Sequence, residues 1–403
     1  MKKVLAVTAL GLWSGVAGTA YAGGLEQAIA DGNILFDARL RYEHVDQDGF
    51  ERNANALTLR SRFGFETAGY EGFSALVEGD FTRDLGVDNF NSTVNGRVQY
   101  PVVADPDSER LNRLQLTYTG PLGTWVTAGR QRILLDNNRF VGNVGFRQNE
   151  QTFDAIRFST APIDDFRLDY SYLWQVNRIF GSNSVAGEVD ADTHLINLSY
   201  KTPVGTLGVY AYLIDLADLA TVSNQTFGAR FTGKTTLNDG LDVLYGAEYA
   251  TQKDYGHNPG DFRLDYYLLE AGLAGRAWSF KASYEVLEGN GTQGFTTPLA
   301  TLHKFQGFAD VFLATSASGI RDLQVMADYR LGHVGVLGPV RLAVWYHDFE
   351  AETGTLDLGQ EMDLGVFASP ARRVKVSLEY ADFWGGDNLA SRRKLWFSIN
   401  YSL

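Results

Sequence analysis

The side chains of this chain alternate between apolar and polar almost from start to finish, and that period of two constrains the fold more than any other feature. Phe166, Leu168, Tyr170, Tyr172 and Trp174 fall on one face of an extended segment. Arg167, Asp169, Ser171, Gln175 and Asn177 fall on the other, with Leu173 as the exception. Successive residues of a strand point to opposite sides, so each segment has one apolar and one polar wall. The pattern returns at Phe36–Glu43, Leu57–Glu66 and Val374–Tyr380, and it runs through Leu395, Phe397, Ile399 and Tyr401 to Leu403, the last residue.

About eighteen such segments follow one another, near the roughly 9–11 residues that a tilted strand needs to cross a bilayer. They begin near residues 34, 56, 73, 110, 124, 153, 166, 193, 205, 224, 241, 264, 278, 321, 340, 361, 372 and 394. Losing the pair near 153 and 361 would leave sixteen. The connections alternate short and long. Ala68–Gly72, Gly120–Gly123, Pro203–Gly205, Asn238–Gly240, Gly275–Ala277 and Ser369–Ala371 are short and carry turn residues. Asp84–Glu109, Leu135–Thr152, Arg178–Asp192 and Gly289–Ile320 are long. Alternating turn and loop lengths are the habit of a transmembrane barrel, with short turns on one side of the membrane and long loops on the other.

The apolar face carries Tyr, Trp and Phe near segment ends (Tyr42, Tyr118, Trp125, Trp174, Tyr249, Phe280) and Val, Leu and Ala between them (Val209, Ala211, Leu269, Ala271). Amphipathic rings at both ends suit two membrane–water interfaces. The polar face is too rich in charge for a dry core, because each buried ion carries a large desolvation cost. Strands crossing lipid satisfy their backbone only by closing on themselves. The fold class expected is therefore all-β: a transmembrane antiparallel barrel, wide enough at this strand number to hold water, its turns on the periplasmic side and its long loops outside.

Lys2 and Lys3, the largely apolar stretch Val4–Val16 and Ala20-Tyr21-Ala22 before Gly23 have the layout of a secretory signal peptide. Residues 1–22 are expected to be cleaved and 23–403 to form one barrel domain. Cleavage removes two lysines and no acid, so the net charge moves from -13 to -15. So acidic a chain is a poor binder of nucleic acid through bulk charge. It has no cysteine, which removes disulfides and thiolate metal sites. No two of its six histidines stand at i,i+4, so no metal and no other cofactor is expected. Gly289–Gly294 matches a dinucleotide fingerprint without the helix that such a site requires. No G-x-S-x-G elbow is present, and an enzyme is not expected.

Arginines cluster on the predicted inner face of the first half: Arg39, Arg41, Arg60, Arg62, Arg113, Arg130, Arg132, Arg157 and Arg167. Arg139 and Arg147 lie in a long loop that could fold inward. Two readings stay open. The arginines could draw an anionic solute into a pore, since guanidinium matches carboxylate and keeps its charge. Or they could pair with Asp37, Glu43, Glu66, Glu78, Asp80 and Asp169 to brace the lumen.

Two stretches resemble the alginate-export family of outer-membrane porins. One runs from Gly129-Arg130-Gln131 through Asn138–Gly142 and Arg147-Gln148-Asn149 to Thr152–Ala155; the other is Thr297–Asp310. The resemblance implies an eighteen-stranded monomeric barrel in outer-membrane lipid that passes an anionic saccharide, a uronate polymer such as alginate, with or without periplasmic export or uptake components. It also implies that Arg130, Arg139, Arg147 and Asp154 sit at or beside the constriction. The chain departs from the common pattern by ending in Leu403 after Tyr401 rather than in Phe or Trp. A diffusion porin of low specificity and a barrel closed by its long loops, serving as an enzyme or a binding surface, are the alternatives.

Overall fold

A computed structural model describes residues 24–403 except 239. The expected signal peptide lies outside the described residues.

A short helix, α1 (Leu25–Ala30), precedes the barrel. The first nine strands are β1 (Asn33–Gln47), β2 (Ala54–Glu66), β3 (Phe73–Asn89), β4 (Ser108–Thr119), β5 (Trp125–Gln131), β6 (Thr152–Thr160), β7 (Phe166–Asn177), β8 (Glu188–Thr202) and β9 (Gly205–Ile214). The second nine are β10 (Asn224–Asn238), β11 (Leu241–Asp254), β12 (Arg263–Ala274), β13 (Trp278–Leu287), β14 (Ile320–His333), β15 (Pro339–Glu350), β16 (Asp357–Ala371), β17 (Val374–Gly385) and β18 (Arg392–Ser402). Every start expected from the alternation falls within five residues of an observed one.

Each strand pairs antiparallel with the next. The cylinder closes where β1 pairs with β18, from Asp37 opposite Ser402 to Gln47 opposite Arg392. No edge is left to solvent or lipid, as a membrane-spanning sheet requires. Among the described residues no helix is long and apolar enough to cross a membrane.

Connections such as 203–204, 275–277 and 372–373 gather at one end, the turn end; 90–107, 132–151 and 288–319 gather at the other, the loop end. Residues such as Leu114, Leu116, Ile156, Leu269, Tyr249 and Phe280 stand exposed on the outer wall. That is the apolar face the alternation pointed to, and in water it would be an unstable surface.

The interior departs from a uniformly polar wall. Toward the loop end the inward positions are apolar: Leu195, Tyr210, Tyr212, Tyr266, Phe349 and Phe383 are all buried. They form one hydrophobic cluster with residues of two loops, among them Leu135, Phe140, Val141, Phe295 and Leu299. The expectation of an interior wide enough to hold water is narrowed here. Part of the lumen is a packed core because two loops fold into it and bury apolar side chains against the wall.

One strand also shows where strict alternation breaks. Between Leu173 and Gln175 the register shifts on both sides of β7, leaving Trp174 as an extra residue. A bulge of one residue moves everything beyond it to the opposite face. Leu173, the apolar exception on the inner face, stands just before the bulge and is fully buried. Gln175 and Asn177, expected inward, turn outward.

Candidate functional site

β5 is only seven residues long. The chain leaves the wall at Arg132 and crosses the lumen as the 132–151 segment, called here the septum loop. Its tip reaches the opposite wall. Asn197 of β8 donates to Asp136 Oδ2 at 2.7 Å. Arg139 Nε donates to Glu285 of β13 at 2.7 Å. The Phe140 ring lies 5.2 Å from Tyr210 and 5.3 Å from Tyr266.

The returning limb lies along β1 and β2. Arg39 Nη1 donates to the carbonyls of Gly145 (3.1 Å) and Phe146 (2.7 Å). Arg41 donates to Phe146 O at 2.5 Å, and its guanidinium sits 4.1 Å from the Phe146 ring. The 288–319 segment, the brace loop, pairs with the septum loop through a parallel bridge between Val141 and Leu299.

Three loops meet in one buried ionic knot. Arg147 donates to Glu43 of β1 at 2.9 Å and to Asp310 of the brace loop at 2.8 Å, and lies 3.8 Å from Asp105 of the 90–107 loop. Lys394 of β18 donates to the same Asp310 oxygen at 2.8 Å. Burial opposes charge on Arg147, but Glu43, Asp105 and Asp310 outweigh it and hold the guanidinium above its ordinary value. Burial likewise opposes the Asp310 charge, and Lys394, His303 and Arg147 hold that carboxyl well below the usual range.

Beneath the septum loop, toward the turn end, lies a cavity of about 360 Å³. Its charged lining is Arg39, Arg60, Arg62, Arg113 and Arg132 against Asp37, Glu78 and Glu150, five cations to three anions. Arg60 pairs with Asp37. Arg113 forks onto Glu78 at 3.0 and 2.7 Å. Arg132 reaches Glu150 at 2.6 Å, and Arg62 bonds Asp80, a neighbour outside the lining, at 2.9 Å. Among the described residues the Arg39 side chain has polar contacts with Asn400 and backbone carbonyls and with no carboxylate. The excess of guanidinium over carboxylate gives the cavity a positive field in a low-dielectric setting, the condition for concentrating anions.

Glu150 anchors the septum loop to this wall. Burial alone would raise its carboxyl, but Arg62 and Arg132, with hydrogen bonds from Arg132 and Asn112, hold it well below the ordinary carboxylate value. A depressed value means that the anchor is fully present above the unfolded value of about 4.3 and is lost as pH falls through the folded value. Conductance at pH 5 should therefore equal that at pH 7, with widening or noise only at stronger acidity. A change between pH 7 and pH 5 that Glu150→Gln abolishes would contradict this sign.

The other expected site residues are scattered. Arg41 is buried under the septum loop, and Arg147 and Arg139 are buried within it, Arg139 at its tip. Arg157 and Arg167 stand on the inner wall beside Asp169, at 2.6 and 3.6 Å. Arg130 and Asp154 form a bidentate pair at 2.7 and 2.9 Å, but on the outer face. Arg130 lies opposite Leu114, whose side chain is exposed on the outer wall, and opposite Asp154 in the ladder. The expectation that these two line the pore is corrected by that register.

Sequence reasoning missed Arg230, Lys281 and Lys304. Arg230 bonds Glu248 at 2.6 Å, and Lys281 bonds Glu270 at 2.6 Å. Arg230 alternates with Thr226 and Gly228 and was legible in principle. Lys304 in the brace loop donates to Asn137 O at 3.0 Å, and nothing local in the sequence marks it.

The closed ladder of eighteen strands has counterparts among solved structures. Pseudomonas aeruginosa OpdL aligns over 93% of this chain and 99% of its own, with a TM-score of 0.71 and 18% identity. The barrel is an outer-membrane porin fold. Pseudomonas aeruginosa OccK9 (OpdG) and Acinetobacter baumannii OccAB2 share this porin fold, each with a TM-score of 0.74 and 16% identity over 93% of this chain, covering 99% and 98% of theirs. No family model matches the chain, so the alginate-export resemblance gains no support there. No curated protein matches it either.

Proposed function

We propose that this porin-fold barrel sits in the outer membrane, with its turn end toward the periplasm, and is a channel rather than an enzyme, preferring small anionic solutes. The observation that carries this reading is the cavity under the septum loop, where five arginines face three carboxylates although the whole chain is at -13. A net negative protein that gathers positive charge around one cavity of its lumen has a local reason for doing so.

The solute class we favour is an acidic sugar, a uronate monomer or short oligomer. Arginine forks such as Arg113 and Arg132, which hold Glu78 and Glu150 here, match a carboxylate in two hydrogen bonds and would have to share with or exchange for a solute. The core packed around the two loops favours short solutes over a polymer. The test is the reversal potential of the refolded barrel in a planar bilayer under a salt gradient, followed by addition of galacturonate. Anion preference with concentration-dependent block supports the reading. Cation preference without block removes it and leaves a diffusion porin.

A further inference from the structure

We propose that one proton, shared between the side chains of Glu361 and Asp363, latches the brace loop to the barrel wall, and that losing it releases the loop and widens the lumen.

Glu361 and Asp363 stand two residues apart on the inner face of β16, and both are fully buried. The brace loop turns directly over them. The Ala309 N–H donates to Glu361 Oε1 at 2.6 Å, and the Phe308 N–H donates to Asp363 Oδ2 at 3.2 Å. Gly307 makes the turn with φ +82, and a Cβ there would lie 2.4 Å from the Glu361 carboxyl carbon. Each carboxyl thus gives one oxygen to the loop. The other oxygens, Glu361 Oε2 and Asp363 Oδ1, are buried without any donor. A proton between the two carboxyls supplies the missing donor for both.

The surrounding charges do not offset two carboxylates. On β15, His347 Nε2 is 3.9 Å from Asp363, but its Nδ1 is 3.0 Å from both oxygens of Asp322 on β14. Glu285 on β13 is engaged by Arg139. In the loop itself, Asp310 is engaged by Arg147 and Lys394. Arg392 of β18 donates to the carbonyls of Ala309 and Asp310, at 3.0 and 2.9 Å. Adjacent carboxyls in so dry a place share a proton rather than ionise together. When alkaline solvent removes it, two like charges repel under the turn, and water has to enter to solvate them.

The latch is independent of the solute; only its effect on conductance rests on the channel reading above. Amide hydrogen exchange at Phe308 and Ala309 reads the latch, and single-channel conductance reads the pore. Glu361→Gln keeps the geometry and donates to Asp363 with an amide that does not titrate; Asp363→Asn serves the same purpose if the first variant fails to fold. Folding is checked by electrophoretic mobility with and without heating.

Exchange in the wild type, divided by exchange in the variant at the same pH, should rise about tenfold per pH unit above the onset, the slope for loss of one proton. Conductance should rise in parallel in the wild type and stay flat in the variant. A ratio that does not change up to pH 10 overturns the latch. Rising exchange with constant conductance would keep the latch and remove the link to the pore.

Discussion

Replacing Arg147 with Met should loosen the septum loop. The substitution keeps much of the side-chain length but leaves Glu43, among the described residues, with Lys394 at 3.9 Å, and takes Arg147 from Asp310, which keeps Lys394 and His303. Removing one partner from a buried ion pair typically costs about 3–5 kcal/mol, because the charge left behind stays desolvated. Most of that cost should fall on the septum, brace and 90–107 loops, which meet at this residue. Barrel strands hold each other by backbone ladders and should survive. The expected result is a folded, heat-modifiable barrel with larger and noisier conductance and a lower urea midpoint. Unchanged conductance together with an unchanged midpoint would show that the knot does not hold the loops.

The second large effect concerns selectivity. Arg132→Glu changes the cavity lining from five cations and three anions to four of each. Arg132 is also among the more accessible of these arginines, with 30% of its side chain exposed, so it contacts solvent where Arg60 and Arg62 do not. Anion preference should collapse toward neutrality. Loss of a charge-assisted fork of about 1.5–3 kcal/mol should weaken uronate block by tenfold or more. Retained anion preference in the variant would move the selective element elsewhere, and the Arg230, Lys281 and Lys304 group would be the place to look.

The wall of this barrel was legible in the sequence because lipid and water impose opposite demands on neighbouring residues. Alternation located all eighteen strands, and connection length separated turns from loops. The clustering of Arg39, Arg60, Arg62, Arg113 and Arg132 was also visible, because all lie on regular strands or just beyond one. What was not legible has specific causes. The extra residue at Trp174 reversed the facing of Gln175 and Asn177, and nothing in the alternation announces a bulge at that position. Arg130 was assigned inward with Arg132 on the predicted inner face and again from its place in a familiar stretch, while its ladder partners Leu114 and Asp154 place it outward.

The path of the septum loop was hidden for a different reason. Its contacts join residues as far apart as Arg139 and Glu285, and no periodicity encodes such a meeting. Nor could alternation separate an inward Tyr210 or Phe349 that packs a loop from an outward ring that meets lipid. Both obey the same period, and only the folded partner tells them apart.

β1 and β18 form the seam where the cylinder closes, and they also carry the seats of both inner loops: Arg39, Arg41 and Glu43 on one side, Arg392 and Lys394 on the other. Until first and last strands meet, half of each seat is missing. An unsealed intermediate therefore lacks contacts that hold the two loops across the lumen, so closing the wall against the bilayer and seating the loops are one event.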